Sequence, residues 1–257
     1  MISKTKIQLI RSLEQKKYRI QHGLFVLEGE KVVREALHST LTVEYLLAKS
    51  AWLEQLTDIT ASHIIEISDK ELSQISFQKT PNQVMALVRI PNYPLDMAEV
   101  ANGLSLYLDQ VQDPGNMGTI IRLADWFGIR HVMCSRGCAD PFNPKTVQST
   151  MGAVIRVKTH QTDVEFFGQL KSHHPNFPVY GTFLEGKNLY NTPLSSNAVI
   201  VMGNESKGIS DAVAQHVNRR LLIPSYPPGE PTSESLNVAT ATAIVCAEFR
   251  KRQIIKN

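Results

Sequence analysis

Three stretches of the chain combine turn residues, glycines and side chains able to act on a charged ligand, and none reads as an ordinary connection. The first is Asp113-Pro-Gly-Asn-Met-Gly-Thr-Ile-Ile-Arg122. Asn116 is suited to cap the helix that follows, and Met117, Ile120, Ile121, Ala124 and Phe127 form that helix's apolar stripe. Arg122 falls nearly opposite the stripe, so packing does not require it; its planar fork suits a phosphate clamp, and a plain surface arginine is the alternative. The second is Ile200-Val-Met-Gly-Asn-Glu-Ser-Lys-Gly208. It follows an apolar strand, where open α/β sheets bind ligands, and Gly203 and Gly208 allow close backbone approach or positive φ. It carries neither the Gly-x-Gly-x-x-Gly fingerprint nor a P-loop ending, which argues against a dinucleotide or nucleoside-triphosphate site. The third runs from Ile223 to Ala239; its four prolines make a stiff loop that delivers Ser235 and Asn237 to the start of the last helix. Helix N-termini favour anions, and capping by Ser233 or Ser235 can coexist with that role.

The elements that must position these stretches alternate. Residues 4–20 read as one basic amphipathic helix with Ile7, Ile10 and Leu13 along one side. Strand 24–27, helix 30–37, strand 43–48, a short helix at 51–56, strand 64–67, a helix opened by the Ser68-x-x-Glu71 capping box and strand 84–90 follow. Pro91 and Pro94 break the pattern, so the chain divides into residues 1–92, a linker at 93–103 and residues 104–257. The second part opens with strand 104–109 and a helix ending near Phe127. It continues with strand 132–134, a helix start at Asn143-Pro144, a second capping-box pattern at Thr162-x-x-Glu165, strands 179–182, 198–202 and 221–223, and a long helix over 236–252. Short apolar runs alternating with helices predict an α/β fold with a mostly parallel sheet covered on both faces.

With 257 residues, 42% apolar and 20% charged, the chain can bury a sizeable core. No run of about 18 apolar residues suggests a membrane span, and no apolar core of a signal peptide follows Met1. A cytoplasmic location with three reduced cysteines is expected; Cys134 and Cys138 lack the companions a zinc site needs, so no metal is expected. The net charge is only +3, but Lys4, Lys6, Arg11, Lys16, Lys17 and Arg19 stand against a single acid, Glu14, before His22, and Arg250, Lys251, Arg252 and Lys256 cluster near the other end. Such patches either bind nucleic-acid phosphates or form solvated faces.

The three stretches, in this order, resemble the signature motifs of the SpoU (TrmH-like) branch of the SPOUT methyltransferases. Asn116-x-Gly118-x-x-x-Arg122 is similar to the first, Met202 to Gly208 to the second, and Ile223-Pro224 with Ser235-Leu-Asn-Val238 to the third. Gly23 to Glu30 and Pro81 to Val88 resemble that family's small, ribosomal-protein-like substrate-binding domain, and Ser149-x-x-Gly152-Ala153 matches a further family segment. The resemblance implies a trefoil-knotted C-terminal domain, homodimers with the active site near the dimer interface, and transfer of a methyl group from S-adenosylmethionine to a ribose 2′-hydroxyl of structured RNA. It favours ribosomal RNA over transfer RNA; a non-catalytic RNA-binding assembly factor on the same fold is the third reading. It assigns the cofactor to Thr182, Met202, Gly203, Gly208, Ile223 and Leu236. Arg122 takes the family's proposed role of base, although arginine is not normally deprotonated and a phosphate clamp is the more conservative role. Asn116, Ser235 and Asn237 would orient Arg122 and the ribose, and Glu205 would brace the loop or an arginine across the dimer. Two departures stand out: Ser206 where the second motif commonly has glycine, and a longer path across Ser225–Ser233.

Overall fold

In a computed structural model, the structure describes residues 2–56, 61–228, 230–231 and 233–254. Gly229 and Thr232 of the long proline loop, and Lys256 of the basic end, lie outside the described residues. The chain forms two compact units, one of residues 2–92 with 140–155, the other of residues 93–139 with 156–254.

The first unit begins with two helices where one was expected, α1 (Lys4–Ser12) and α2 (Lys16–His22). No glycine or proline forces the break. Leu13 is fully buried there, and the carbonyls of Leu13 and Glu14 that the break leaves free accept hydrogen bonds from Arg19 Nη1 at 2.7 and 2.8 Å. Gly23, at φ +63°, closes α2 in the left-handed conformation glycine tolerates. Then come β1 (Leu24–Glu28), α3 (Glu30–Leu37), β2 (Val43–Ala48), α4 (Ser50–Leu53), β3 (His63–Glu66), α5 (Asp69–Ile75) and β4 (Val84–Arg89). The capping box at α5 is present, with Ser68 and Glu71 bonded reciprocally. The sheet order is β1-β4-β2-β3; β4 runs antiparallel to both neighbours, and β2 runs parallel to β3. Successive side chains of β1 enter opposite layers: Phe25 and Leu27 pack with Val33, Leu46 and Trp52, whereas Leu24 and Val26 pack with Ile10, Leu13 and Leu72.

The second unit opens with α6 (Met97–Ala101), capped by Asp96, inside the stretch read as a linker. Its length of five residues leaves too short a periodic signal for a sequence reading. After it come β5 (Leu104–Leu108), α7 (Pro114–Trp126) and β6 (His131–Cys134). Residues 140–155, with α8 (Pro144–Thr150) capped by Asn143, fold with the first unit, where Val147, Val154 and Ile155 join the layer of Phe25. The second unit resumes with β7 (Lys158–Gln161), α9 (Glu165–His173), β8 (Val179–Asn188), β9 (Ala198–Met202), α10 (Asp211–Ala214), β10 (Arg219–Leu222) and α11 (Val238–Ile254).

All six strands of this sheet are parallel, in the order β10-β8-β9-β5-β6-β7. Strand β7, Lys-Thr-His-Gln, lies at the sheet edge and lacks the apolar run that marks its neighbours. The pattern at Thr162 does not become a capping box: α9 starts after Val164, which makes no side-chain cap. Helices cover both faces. Tyr107, Val199 and Val201 pack with Val100 of α6 and with Phe166, Phe167 and Leu170 of α9, while the Tyr180 ring meets Phe249 of α11 edge-on at 5.0 Å. Helix α11 also packs against α7.

The basic residues divide into two groups. Lys4, Lys16, Lys17 and Arg11 are exposed, and the Lys6 ammonium lies 3.4 Å from the centroid of the Tyr45 ring. Arg19 is 1% exposed; besides the two carbonyls it donates through Nε to Asp140 Oδ2 at 2.9 Å. It is therefore not available to a phosphate, contrary to the expectation for it. Arg250 and Arg252 likewise bind carbonyls, of Phe127 and Gly128 in one case and of Leu189, Tyr190 and Thr192 in the other. Since removing one member of a buried pair strands its partner, Arg19→Met should destabilise the protein by about 3 kcal/mol. Urea unfolding checks this; an unchanged midpoint would show that Asp140 and the two carbonyls do not depend on Arg19.

Candidate active site

The carboxyl ends of β5, β9 and β10 carry the loops expected to do chemistry, as a parallel sheet requires. Helix α7 starts earlier than Asn116. Asp113 is its cap, accepting from the Asn116 amide at 2.8 Å, and Pro114 fills the first turn. Asn116 thus sits inside the first turn with its side chain released from capping. That carboxamide is used at both ends: Nδ2 donates to Glu205 Oε1 at 2.8 Å, and Oδ1 accepts from Asn237 Nδ2 at 3.0 Å. Asn237 rather than Ser233 or Ser235 caps α11, its Oδ1 accepting from the amides of Ala239 and Thr240 at 2.9 and 3.3 Å. One residue from each of the three stretches therefore meets at a single point.

The loop after β9 is held shut by its own backbone. Asn204 and Gly208 exchange two hydrogen bonds of 2.9 Å. A Cβ on Gly203 would lie 2.3 Å from the carbonyl carbon of Gly208, so only glycine allows this approach. Gly208 has φ +69°. The Asn204 side chain fixes the rest: Oδ1 accepts from the amides of Ser206 and Lys207, and Nδ2 donates to the Gln110 carbonyl at 2.8 Å. Ser206, where glycine was anticipated, is exposed and makes its bond through the backbone, so the loop closes without a glycine there.

Sequence reasoning missed this supporting layer. Gln110 has φ +56°, unusual for a non-glycine residue. It is held there by its amide donating to Ser135 Oγ at 2.9 Å and by Asn204 on its carbonyl. Asp109, buried after β5, accepts from the Ser210 amide at 2.7 Å. The acidic residue ending an apolar strand was a usable signal; the backbone of Gln110 had none.

Of the other candidates, Met202 is buried, Thr182 and Ile223 are half-buried, and Leu236 is 45% exposed despite being apolar. Thr182 Oγ1 lies 4.0 Å from the Met202 sulfur. Ser235 is exposed. Arg122 is also exposed and forms no hydrogen bond or ion pair with another described residue; the structure does not bring it into the Asn116–Glu205–Asn237 cluster. Among the described residues no group of three metal-ligating side chains is present.

Residues 103–247 match the model of the SpoU rRNA methylase family, and residues 4–86 match that of the MRM3-like substrate binding domain. A 23S rRNA (guanosine(2553)-2′-O)-methyltransferase of Bacillus subtilis, RlmP, is 33% identical over 95% of this chain and 96% of its own length. Among solved structures, a putative RNA methyltransferase of the TrmH family from Porphyromonas gingivalis superposes with a TM-score of 0.89 at 41% identity, covering 98% of this chain and 99% of that one. An AdoMet-bound rRNA methyltransferase from Sinorhizobium meliloti gives 0.85 at 28% identity, covering 98% and 97%.

Since an added methyl group at position 203 has no space, Gly203→Ala should open the loop. Amide exchange at Asn204 and Gly208 should lose its protection while that of β9 is kept; full protection at both would contradict the close-approach account.

Proposed function

The chain belongs to the SpoU rRNA methylase family, and on that footing we propose that it transfers a methyl group from S-adenosylmethionine to a ribose 2′-hydroxyl of ribosomal RNA. The observation that carries the reading is the junction of Asn116, Glu205 and Asn237 at the carboxyl ends of the parallel strands. Two relatives are named as rRNA methyltransferases over nearly their whole length, one of them bound to AdoMet.

The residues present suit the cofactor. Thr182, Met202, Gly203, Gly208, Ile223 and Leu236 contain no charged side chain; Leu236 is 45% exposed and Ile223 half-buried, and no atom lies within 4 Å of a Cβ position on Gly208. Such a surface fits a flat heteroaromatic ring held by apolar contact and by backbone groups. When bound, the cofactor supplies an electrophilic methyl on a sulfonium. The chain's own task is to align a hydroxyl with that carbon, which lowers the entropic barrier, and to stabilise the negative charge growing on the attacking oxygen. Asn116 and Asn237 fix the loops that frame the ribose. Glu205 accepts from Asn116 and acts as a brace. Arg122 serves as a clamp on the neighbouring phosphate, its planar fork suited to that group and its positive charge favouring loss of the hydroxyl proton.

Arg122 lies six residues beyond Asn116, hence about 9 Å further along α7 and about 120° around it. That offset supports a homodimer in which Arg122 of one subunit serves the site of the other. In the same reading the C-terminal domain is trefoil-knotted, residues 1–92 are the RNA-binding domain using Lys4, Lys6, Arg11, Lys16 and Lys17, and the enzyme works in the cytoplasm. No described helix is long and apolar enough to cross a membrane.

With labelled cofactor and rRNA, Arg122→Ala should lower methyl transfer by about 100-fold or more while calorimetry shows S-adenosylhomocysteine affinity unchanged; equal loss of both would make Arg122 structural. Mixing Arg122→Ala and Asn237→Ala subunits should restore about a quarter of the wild-type sites, because each mixed dimer regains one complete site. No recovery on mixing would place Arg122 and Asn237 in the same subunit's site.

A further inference from the structure

We infer that Arg220, held over the Phe183 ring at the edge of the parallel sheet, is a stacking platform for one base of the single-stranded rRNA segment that passes the site. That the RNA is ribosomal rests on the function proposed above; the platform itself rests on the geometry of β8 and β10.

An irregularity of β8 builds it. Gly181 is the last residue of β8 to pair with β9, opposite Val201. On the other side Arg220 of β10 also pairs with Gly181, but the next residue, Leu221, pairs with Lys187. Residues 182–186 therefore leave both ladders at the carboxyl edge of the sheet, the edge that carries the loop after β9. Glycine allows this at both ends. A Cβ on Gly181 would lie 2.9 Å from Phe183 Cε2, so the ring folds back over the bare glycine. A Cβ on Gly186 would lie 2.8 Å from the carbonyl carbon of Leu221, so the excursion returns tight against β10. The guanidinium carbon of Arg220 then sits 4.4 Å from the centroid of the Phe183 ring.

Phe183 is half-buried and Arg220 exposed, so the cation has the ring behind it and solvent in front. The side chains of Arg220, Arg219 and Lys187, all exposed, form no hydrogen bond or ion pair with another described residue. Glu185, the acid of the excursion, pairs with none of them, and Leu184 is 75% exposed despite being apolar. Unneutralised cations beside open apolar surface suit a ligand with repeated negative charge and flat faces, which describes a single nucleic-acid strand. Splayed-out bases stack on guanidinium planes as they do on aromatic rings, and a guanidinium already backed by Phe183 loses less freedom when a base arrives. Charge on an edge strand also deters pairing with another chain. Lysine would serve that purpose equally, whereas a flat cation over a ring is what arginine supplies.

The test uses the full chain and a single-stranded oligoadenylate of about twelve nucleotides with 2-aminopurine at one position. The wild type should bind it and quench the 2-aminopurine fluorescence, the signature of stacking. Arg220→Ala should weaken binding about tenfold and lose most of the quenching, with S-adenosylhomocysteine affinity unchanged. Arg220→Lys keeps the charge without the plane, so its quenching should stay lost. Arg219→Gln should reduce the salt slope of binding by about one while the quenching persists. The inference is overturned if Arg220→Ala or Arg220→Lys quenches as the wild type does. Polyglutamate that competes as well as oligoadenylate also overturns it, by making the patch a site for an acidic protein. An equal fall in S-adenosylhomocysteine and RNA affinity in Arg220→Ala overturns it too, by making Arg220 structural. If the wild type methylates no rRNA yet shows quenching that depends on Arg220, the methyl-transfer reading fails and the platform stands; methylation with quenching indifferent to Arg220 gives the reverse.

Discussion

The candidate methyl-transfer site is joined through the side-chain amide of Asn116. Its nitrogen can only donate and its oxygen can only accept, so one planar group fixes Glu205 on one side and Asn237 on the other. Those partners are 89 and 121 residues away in sequence. The amide is free for this because Asp113 takes over the capping of α7. A carboxylate in its place would face Glu205 with like charge and no donor, and the junction of the three stretches would part.

The fold exists around that point as a set of close approaches. Parallel strands deliver their loops to one edge of the sheet, and there the glycine at 203 lets the backbone cross itself where no other residue has space. Behind the loop, Asp109, Gln110 and Asn204 convert strand ends into fixed hydrogen-bond partners. Gln110 stores a strained backbone beside the site, as functional loops often do.

Much of this was legible in the residues. Strands β2 and β9 and helix α3 fall on the expected residues because each is an uninterrupted periodic or apolar run between turn signals. The capping box at Ser68 and the Asn143-Pro144 helix start are local chemistry, and local chemistry transfers directly from sequence to structure. What failed depends on distant partners. The break between α1 and α2 is made by Arg19, whose guanidinium satisfies two freed carbonyls and Asp140, 121 residues away. The same arginine had looked like part of a phosphate-binding face. Strand β7 and helix α6 are too short and too polar to announce themselves. Asn116 looked like a cap because capping is the commonest local use of asparagine, and only the fold shows that Asp113 had already taken that place. The positions of the candidate side chains on the chain could be read; their mutual hydrogen bonds, and the separation of Arg122 from them, could not.

The most direct measurement is a ribose-methylation map of ribosomal RNA from cells lacking this chain, compared with cells given back either the wild-type protein or Asn116→Asp. The account predicts that a discrete 2′-O-methylation disappears with the chain, returns with the wild type, and stays absent with Asn116→Asp although the variant protein is folded and present. An identical map with and without the chain, or full restoration by Asn116→Asp, would contradict it.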